Sequence, residues 1–270
     1  MPKLDIMMTG YTGNDEIKAM AERSIKSLRD SEGSENFNII YLESNKLMNI
    51  SHSLGYFVFT PPKTGSTTAA KIFNNFDFQT FKISDTNNIE LLSSKFTQTH
   101  YYNNLPDYEN YKLICTVRNP YSKFVSLFKY TIAPEKKVIS TYNWREEFFE
   151  LLFDNITHHS DQGWAHELYF GSDPSSLGRK IDYPLRIENL FEDYSSIPFI
   201  KDSDYFKNGS LKKDLDLKLN STDDKYDYSL YKIPNKWEDF YDQSTADFVY
   251  SKHKSYFDYF GYDKDSWKKI

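Results

Sequence analysis

The sequence predicts an α/β protein in which a central, mostly parallel sheet is flanked by helices. Short apolar runs that are typical of buried strands alternate with segments whose apolar residues recur at helical spacing. The clearest apolar runs are each followed by a turn and then by a helical segment, which is the order of βαβ units. The 270 residues include 22 tyrosines and 21 phenylalanines, enough aromatic side chains to build a sizeable core.

Residues 1–45 have a pattern of their own. Lys3–Thr9 is a predicted strand, and Phe37–Leu42 is a second one of the buried type. Asn14 is a suitable N-cap for a helix between them, because its side chain can accept from the first free N–H groups. We therefore expect an N-terminal β-α-β appendage or extra layer over residues 1–45, followed by one main domain over residues 46–270.

The main domain shows the strand–helix alternation most clearly. Its predicted strands are Tyr56–Thr60, Tyr111–Val117 and Tyr183–Ile187. The helical segments begin after each strand and later in the chain, at Thr67–Phe73, Tyr121–Tyr130, Trp144–Phe153, Glu188–Tyr194 and Thr245–Phe260. Residues 201–236 are rich in Lys, Asp, Ser and Asn, which predicts a long polar loop.

Composition excludes several function classes. Acidic residues outnumber basic ones by 39 to 33, so the net charge of −6 argues against a general nucleic-acid binder. The single cysteine, Cys115, allows no intrachain disulfide and no cysteine-based zinc site. No apolar run approaches the roughly 20 residues of a membrane helix, and the first residues lack the apolar core of a signal peptide. We expect a cytoplasmic protein that is not inserted in a membrane.

The turn after Tyr56–Thr60 has the residues of a phosphate cradle. Only 10 of 270 residues are glycine, yet Gly65 lies between this strand and the next helix. Glycine lets the backbone approach an anion, Lys63 adds a positive charge, and the helix start supplies unpaired N–H groups. The hydroxyl-bearing neighbours are Thr64, Ser66, Thr67 and Thr68. The order of Lys and Gly excludes a Walker A motif, and an ordinary turn with Ser/Thr caps remains an alternative.

A second candidate anion site follows the strand Tyr111–Val117. Arg118 stands directly after the strand, where ligands bind in open α/β sheets. Pro120 suits the first turn of the next helix, and Ser126 lies about two turns further on. A surface arginine and a helix cap would also explain this pattern. Together, the two turns predict a ligand with phosphate groups at both ends.

These residues resemble a known family, the sulfotransferases that use 3′-phosphoadenosine-5′-phosphosulfate (PAPS). Thr60–Thr68, T-P-P-K-T-G-S-T-T, is similar to their 5′-phosphosulfate loop, and Val117–Ser126, V-R-N-P-Y-S-K-F-V-S, resembles their 3′-phosphate motif. Within the second motif, Lys123 stands where the family has an arginine. A lysine keeps the positive charge but cannot make the bidentate hydrogen bonds of a guanidinium.

Two further segments resemble the branch of the family that acts on carbohydrates. Leu185–Tyr194 looks like its R-x-E-N-L-x-x-D-[FY] stretch, and Tyr256–Tyr262 looks like its C-terminal motif with a shortened spacing. The resemblance covers about residues 47–265. It implies a P-loop-like, three-layer fold, PAPS as the donor substrate, no metal, and a carbohydrate or other hydroxyl as the acceptor.

The resemblance also implies roles for individual residues. Lys63 would neutralise the oxygen that bridges phosphate and sulfur as the nucleotide leaves, and Ser66, Thr67 and Thr68 would hold the 5′-phosphate and sulfonate with the loop amides. Arg118 and Ser126 would hold the 3′-phosphate.

Transfer to a hydroxyl needs a base, and histidine is the natural one near neutral pH. None of the six histidines forms an H-E-x-x-H motif, so we expect no metal site. The carbohydrate branch carries a catalytic histidine between its two phosphate motifs, and His100 lies at a similar place here, 18 residues before Arg118. A polar histidine at a strand end is the alternative, in which case Glu90 or Glu109 would be the base.

Two other functions fit parts of the pattern. A nucleotide-dependent small-molecule kinase would also need phosphate-binding turns, although no Walker-type lysine or magnesium-binding acid is evident. A non-catalytic nucleotide- or glycan-binding module could keep the same fold without turnover.

Overall fold

The structure is a computed structural model that describes residues 4–10, 37–43, 47–61, 63–83, 89–96, 110–132, 143–154, 180–217, 228 and 231–268. These residues form a mixed α/β protein with a six-stranded sheet and a separate two-stranded sheet. None of the helices in these ranges is both long enough and apolar enough to cross a membrane.

The two-stranded sheet is formed by the N-terminal residues. Strands β1 (Leu4–Gly10) and β2 (Phe37–Glu43) pair in parallel, with Leu4 opposite Phe37 and Gly10 opposite Glu43. Both predicted strands are confirmed to within a residue or so. The helix expected between them, including Asn14, lies outside the described residues, and the division at residue 45 stays a prediction.

The six-stranded sheet is mixed rather than mostly parallel. Its strands run in the order β6-β5-β3-β4-β7-β8, and their bounds are β3 Leu47–Ser51, β4 Tyr56–Phe59, β5 Gln79–Ile83, β6 Ile89–Ser93, β7 Lys112–Val117 and β8 Tyr183–Arg186. Strands β4, β7 and β8 are parallel, as the alternating pattern predicts. Strands β3, β5 and β6 add an antiparallel half that the sequence analysis did not identify.

A tight connection explains why β3 and β4 are antiparallel. Only residues 52–55 join them, and such a short link cannot carry the chain back for a parallel pairing. Gly55 completes the turn at φ +74°, in the left-handed region that glycine adopts without a steric penalty.

Helices follow each of the three parallel strands. Helix α1 (Ser66–Phe73) comes after β4, α2 (Pro120–Ile132) comes after β7, and a 3₁₀ turn (Ile187–Asn189) leads from β8 into α4 (Leu190–Ser195). The remaining helical segments are α3 Trp144–Asp154, α5 Pro198–Lys201, α6 Asp204–Lys207, α7 Ser210–Asp216, a 3₁₀ turn Trp237–Phe240 and α8 Gln243–Phe260.

Helices cover both faces of the parallel half of the sheet. Alternate residues of a strand point to opposite faces. Val58 of β4 packs in one core cluster with Ile72 of α1, while Phe57 of the same strand packs in another with Phe260 of α8. Burial on both faces explains why β4 and β7 are almost continuously apolar.

The prediction of a long polar loop over residues 201–236 is wrong for the first half of that range. Helices α6 and α7 occupy much of residues 204–216. Leu211 anchors α7 by complete burial, and Asp214 ties it to α1 through an ion pair with Lys71 at 2.9 Å. One buried leucine among charged residues is too weak a periodic signal to predict a helix. Residues 218–227 lie outside the described residues.

Candidate functional site

The candidate site lies where the three parallel strands end. Because β4, β7 and β8 run in the same direction, the turns that follow them meet at one edge of the sheet. The described residues of these turns are Thr60, Pro61 and Lys63–Gly65 after β4, Arg118–Asn119 after β7, and Ile187–Asn189 after β8. Ligands of open α/β sheets bind beyond the carboxyl ends of such strands.

Thr64 ties the first turn to the neighbouring strand. Its Oγ1 donates a 2.6 Å hydrogen bond to the carbonyl oxygen of Pro61 and lies 2.7 Å from Oγ1 of Thr116 in β7. Both threonine side chains are buried. The Thr64 side chain therefore fixes the loop to the sheet instead of facing a ligand, whereas the sequence prediction grouped it with the ligand-binding hydroxyls.

Two left-handed residues shape this turn. Lys63 has φ 62° and Gly65 has φ 89°. A side chain added at Gly65 would meet Ile187 only at an ordinary distance of 3.5 Å, so it is the backbone conformation that requires glycine there. Lys63 is not a glycine, and a left-handed lysine costs about 1–3 kcal/mol. Strain of this kind persists where surrounding contacts fix the residue, which is common at functional sites.

Helix α1 begins at this turn, so the N–H groups of its first turn lie close to the sheet edge. Gly65 is its N-cap, and Ser66, Thr67 and Thr68 form its partly exposed first turn. That first turn has no acidic residue, so nothing in it opposes the partial positive charge of the helix end. Backbone N–H groups and the hydroxyls of Ser66, Thr67 and Thr68 lie together in this first turn, and their predicted role as an anion cradle stays a prediction.

Arg118 links the first turn to the second. Its Nη1 donates to the main-chain carbonyl oxygen of Lys63 at 3.3 Å, although the two residues are 55 positions apart. Its Nε donates to Oγ of Ser122 at 2.9 Å, and its backbone N–H donates to the hydroxyl of Tyr256 at 3.3 Å. Ser122, four residues after Arg118, is a site residue that the sequence analysis missed.

One face of α2 lines the site. Ser122, Ser126 and Tyr130 are spaced four residues apart, which places them on the same side of a helix. Ser126 is partly exposed, and Tyr130 is 37% exposed. The Nζ of Lys63 lies 4.2 Å from the centre of the Tyr130 ring. Lys63 is thus held near Arg118 by its carbonyl and near Tyr130 by its ammonium.

Lys123, which stands at the arginine position of the resembling motif, faces the interior. It is 1% exposed. Burial lowers the pKa of its ammonium well below the usual range, while the nearby Cys115 favours the charged form and Arg118 opposes it. The Lys123 side chain is therefore packed in the interior and not exposed at the sheet edge.

The turn after β8 is hydrogen-bonded to the turn after β7. Oε1 of Glu188 accepts from the backbone N–H of Asn119 at 2.8 Å, and Oε2 accepts from the hydroxyl of Tyr262 at 3.0 Å. Asn119 in turn donates from Nδ2 to Oγ of Ser266 at 2.8 Å. The C-terminal residues thereby hold the turn that presents Arg118.

The arginine of the Leu185–Tyr194 segment has an internal partner. The backbone N–H of Arg186 donates to Oδ2 of Asp193 at 2.7 Å, and its Nη1 donates to Oδ1 at 3.0 Å. Asn189 donates to the same carboxylate at 3.3 Å. These bonds fold the segment on itself and position Glu188.

The candidate bases are not brought to the site by the described residues. His100 and Glu109 lie outside them. Glu90 belongs to β6, at the far edge of the sheet and three strands from β4. Within the described ranges, no group of three or more His, Cys, Asp or Glu side chains could hold a metal ion.

No protein-family model, curated protein or solved structure matches this chain. Its functional interpretation therefore rests on the residue pattern and on the geometry at the sheet edge. That geometry joins a helix N-terminus, one lysine and one arginine within two adjacent turns, which is an arrangement suited to a ligand with several phosphate or sulfate groups.

Proposed function

We propose that this chain is a sulfotransferase with a P-loop-like fold, which moves the sulfuryl group of PAPS to a hydroxyl of a carbohydrate. The donor carries a 5′-phosphosulfate and a 3′-phosphate, so it needs two anion sites a short distance apart. The carbohydrate acceptor is suggested by the resemblance of Leu185–Tyr194 and Tyr256–Tyr262 to the carbohydrate branch.

The observation that carries this proposal is the hydrogen bond from Arg118 to the carbonyl oxygen of Lys63. It brings together two motifs that the sequence separates by 55 positions. Each motif is by itself compatible with an ordinary turn. Their direct contact at the ends of adjacent parallel strands favours a single ligand that spans both.

The residues of the first turn would act on the transferring group. The N-terminus of α1 with Ser66, Thr67 and Thr68 would bind the 5′-phosphate and the sulfonate. Lys63 would neutralise the negative charge that grows on the bridging oxygen, an interaction stronger in the transition state than in the ground state. Arg118 and Ser126 would bind the 3′-phosphate and fix the orientation of the donor.

The proposed reaction forms one bond to sulfur and breaks another. The acceptor oxygen forms a bond to sulfur while the bond from sulfur to the 5′-phosphate oxygen breaks, and adenosine 3′,5′-bisphosphate leaves. The acceptor proton goes to a base, for which His100 is the first candidate and Glu109 is the alternative, since Glu90 lies on β6 at the far edge of the sheet. Positioning and electrostatic stabilisation supply most of the rate enhancement in transfers of this type.

Ligand binding followed by group transfer tests the proposal. Thermal shift is measured with adenosine 3′,5′-bisphosphate and, separately, with ATP plus Mg²⁺; label transfer from PAPS to a saccharide panel follows. We expect a shift with the bisphosphate that is reduced in Arg118→Ala and kept in Arg145→Ala, which alters an exposed arginine of α3. A shift with ATP plus Mg²⁺ alone would favour the kinase. Bisphosphate binding without transfer to any acceptor would favour a non-catalytic module.

A further inference from the structure

The ring of Tyr130 contacts Lys63, and Tyr130 belongs to neither of the two phosphate-binding motifs identified in the sequence. Its centre lies 4.2 Å from the Nζ of Lys63, within the range of a cation–π interaction. Tyr130 follows Ser126 by four residues and so extends the site-lining face of α2 by one more turn. The ring stands beside the one side chain that the proposed function places at the bridging oxygen.

The position of Tyr130 is itself held from outside the helix. The hydroxyl of Tyr228 donates a 2.9 Å hydrogen bond to the carbonyl oxygen of Lys129, the residue before Tyr130. The opposite side of α2 is buried against the core through Phe124 and Phe128. The helix therefore presents Tyr130 from a fixed backbone.

Lys63 needs such support because its side chain is long and its backbone is strained. A lysine side chain has four rotatable bonds, and holding it in one place costs conformational entropy. The left-handed φ of 62° and the hydrogen bond from Arg118 fix the main chain of Lys63. The Tyr130 ring fixes the other end, the ammonium.

We propose that Tyr130 is a positioning residue for Lys63, holding the ammonium beside the point where negative charge develops on the bridging oxygen. This inference rests on the proposed sulfuryl transfer for its chemical meaning. Tyr130 does not contact the reacting atoms, and it acts through Lys63. The hydroxyl of Tyr130 is not needed, since the attraction comes from the ring face.

A spectroscopic test examines the contact without any nucleotide. Lysines of the full chain are methylated reductively with ¹³C-formaldehyde, and the Lys63 resonance is identified by its loss in Lys63→Ala. We expect the Tyr130 ring current to move this resonance upfield. The displacement should disappear in Tyr130→Leu and persist in Tyr130→Phe. An undisplaced Lys63 resonance in the unmodified sequence would overturn the proposal.

A kinetic test examines the consequence. Tyr130→Leu should lower kcat for transfer from PAPS about two- to fivefold, as expected for loss of one partly exposed cation–π contact, with little change in either KM. Tyr130→Phe should recover most of kcat. Phe248→Leu is the matched control, because it removes a ring from Lys252 (Nζ 5.8 Å from its centre) on α8 and should leave kcat unchanged.

The double variant decides whether Tyr130 acts through Lys63. In a Lys63→Ala background, Tyr130→Leu should have no further effect on kcat. An equal loss in both backgrounds, a change confined to the KM of the acceptor, or failure of Tyr130→Phe to recover kcat would each overturn the proposal. If the unmodified protein neither binds the bisphosphate nor transfers the sulfuryl group, the proposed function fails. The chemical shift of Lys63 still tests its contact with Tyr130, because that measurement needs no nucleotide.

Discussion

The guanidinium of Arg118 donates a hydrogen bond to the main-chain carbonyl oxygen of Lys63 across 3.3 Å. This bond joins the turn after β4 to the turn after β7, and Nε of the same arginine is held by Ser122 at 2.9 Å. The guanidinium of Arg118 is therefore oriented on two sides by contacts within the protein. Pre-oriented charged groups lose less entropy on binding, which favours tight and specific recognition of an anion.

Replacing Lys63 by alanine should reduce turnover much more than affinity for the product nucleotide. The ammonium is worth most when charge builds on the bridging oxygen, so we expect kcat to fall about 10²–10³-fold. Calorimetry with adenosine 3′,5′-bisphosphate and initial rates with PAPS would measure both effects. Lys71→Ala is the control, since Lys71 lies on α1 but pairs with Asp214. Equal losses in rate and affinity would contradict this role of Lys63.

Replacing Arg118 by alanine should weaken binding of adenosine 3′,5′-bisphosphate about 10- to 100-fold, the effect of one charge-assisted hydrogen-bonded pair. Adenosine 5′-monophosphate, which lacks the 3′-phosphate, should bind the variant and the unmodified protein alike. Arg118→Lys should recover little, because lysine cannot make the two-sided contacts of the guanidinium. Unchanged bisphosphate affinity in Arg118→Ala would place the 3′-phosphate elsewhere.

Replacing His100 by alanine should lower kcat by roughly 10²–10⁴-fold and leave bisphosphate binding near normal, as expected for loss of a general base. The rate of the unmodified protein should rise with pH as the imidazole loses its proton, because only the neutral ring accepts one. His52→Ala serves as the control, because the ring of His52 is hydrogen-bonded to the hydroxyl of Tyr111 and has no proposed role in the transfer. If His100→Ala kept its rate and pH profile, Glu109→Gln would be the next variant.

Replacing Glu188 by alanine should destabilise the protein by about 1–3 kcal/mol, because the backbone N–H of the buried Asn119 would lose its acceptor. Tyr262→Phe removes only one of the two bonds to Glu188 and should cost less. Urea unfolding of both variants measures the difference. We also expect Glu188→Ala to weaken bisphosphate binding, since the same turn carries Arg118. Stability equal to that of the unmodified protein would show that water replaces this carboxylate at no cost.

The stability of the protein should fall in mild acid because of His253. Burial, with smaller contributions from Lys123 and Lys252, lowers the pKa of His253 from 6.5 to about 3. Between these values the unfolded chain binds a proton that the folded chain does not, so His253 removes about 1.4 kcal/mol of stability per pH unit as the pH falls.

The measurement for His253 is urea unfolding at several values between pH 5 and pH 8. His253→Phe should lack this part of the slope, and by pH 5 the unmodified protein should have lost about 2 kcal/mol more than the variant, relative to pH 7.5. Parallel stability curves for the two proteins would show that His253 keeps an ordinary pKa in the folded state.

The parts of this fold that depend on neighbouring residues follow from the order of the amino acids. The apolar runs of β4 and β7 identify buried strands, and the glycine, lysine and hydroxyl residues after β4 identify a turn that opens a helix. Those features are local because strand burial and helix capping are decided within a few residues. The existence of both candidate anion turns could thus be predicted from the order of the amino acids alone.

Which distant groups meet depends on long-range packing. Strands β3, β5 and β6 make half of the sheet antiparallel, a pairing that depends on connections and not on apolar content. Lys123 and Tyr130 lie on the same helix, yet packing buries the first and brings the second to Lys63. Long-range packing sets the environment of each side chain, and for that reason the bond between Arg118 and Lys63 could not be obtained from either motif alone.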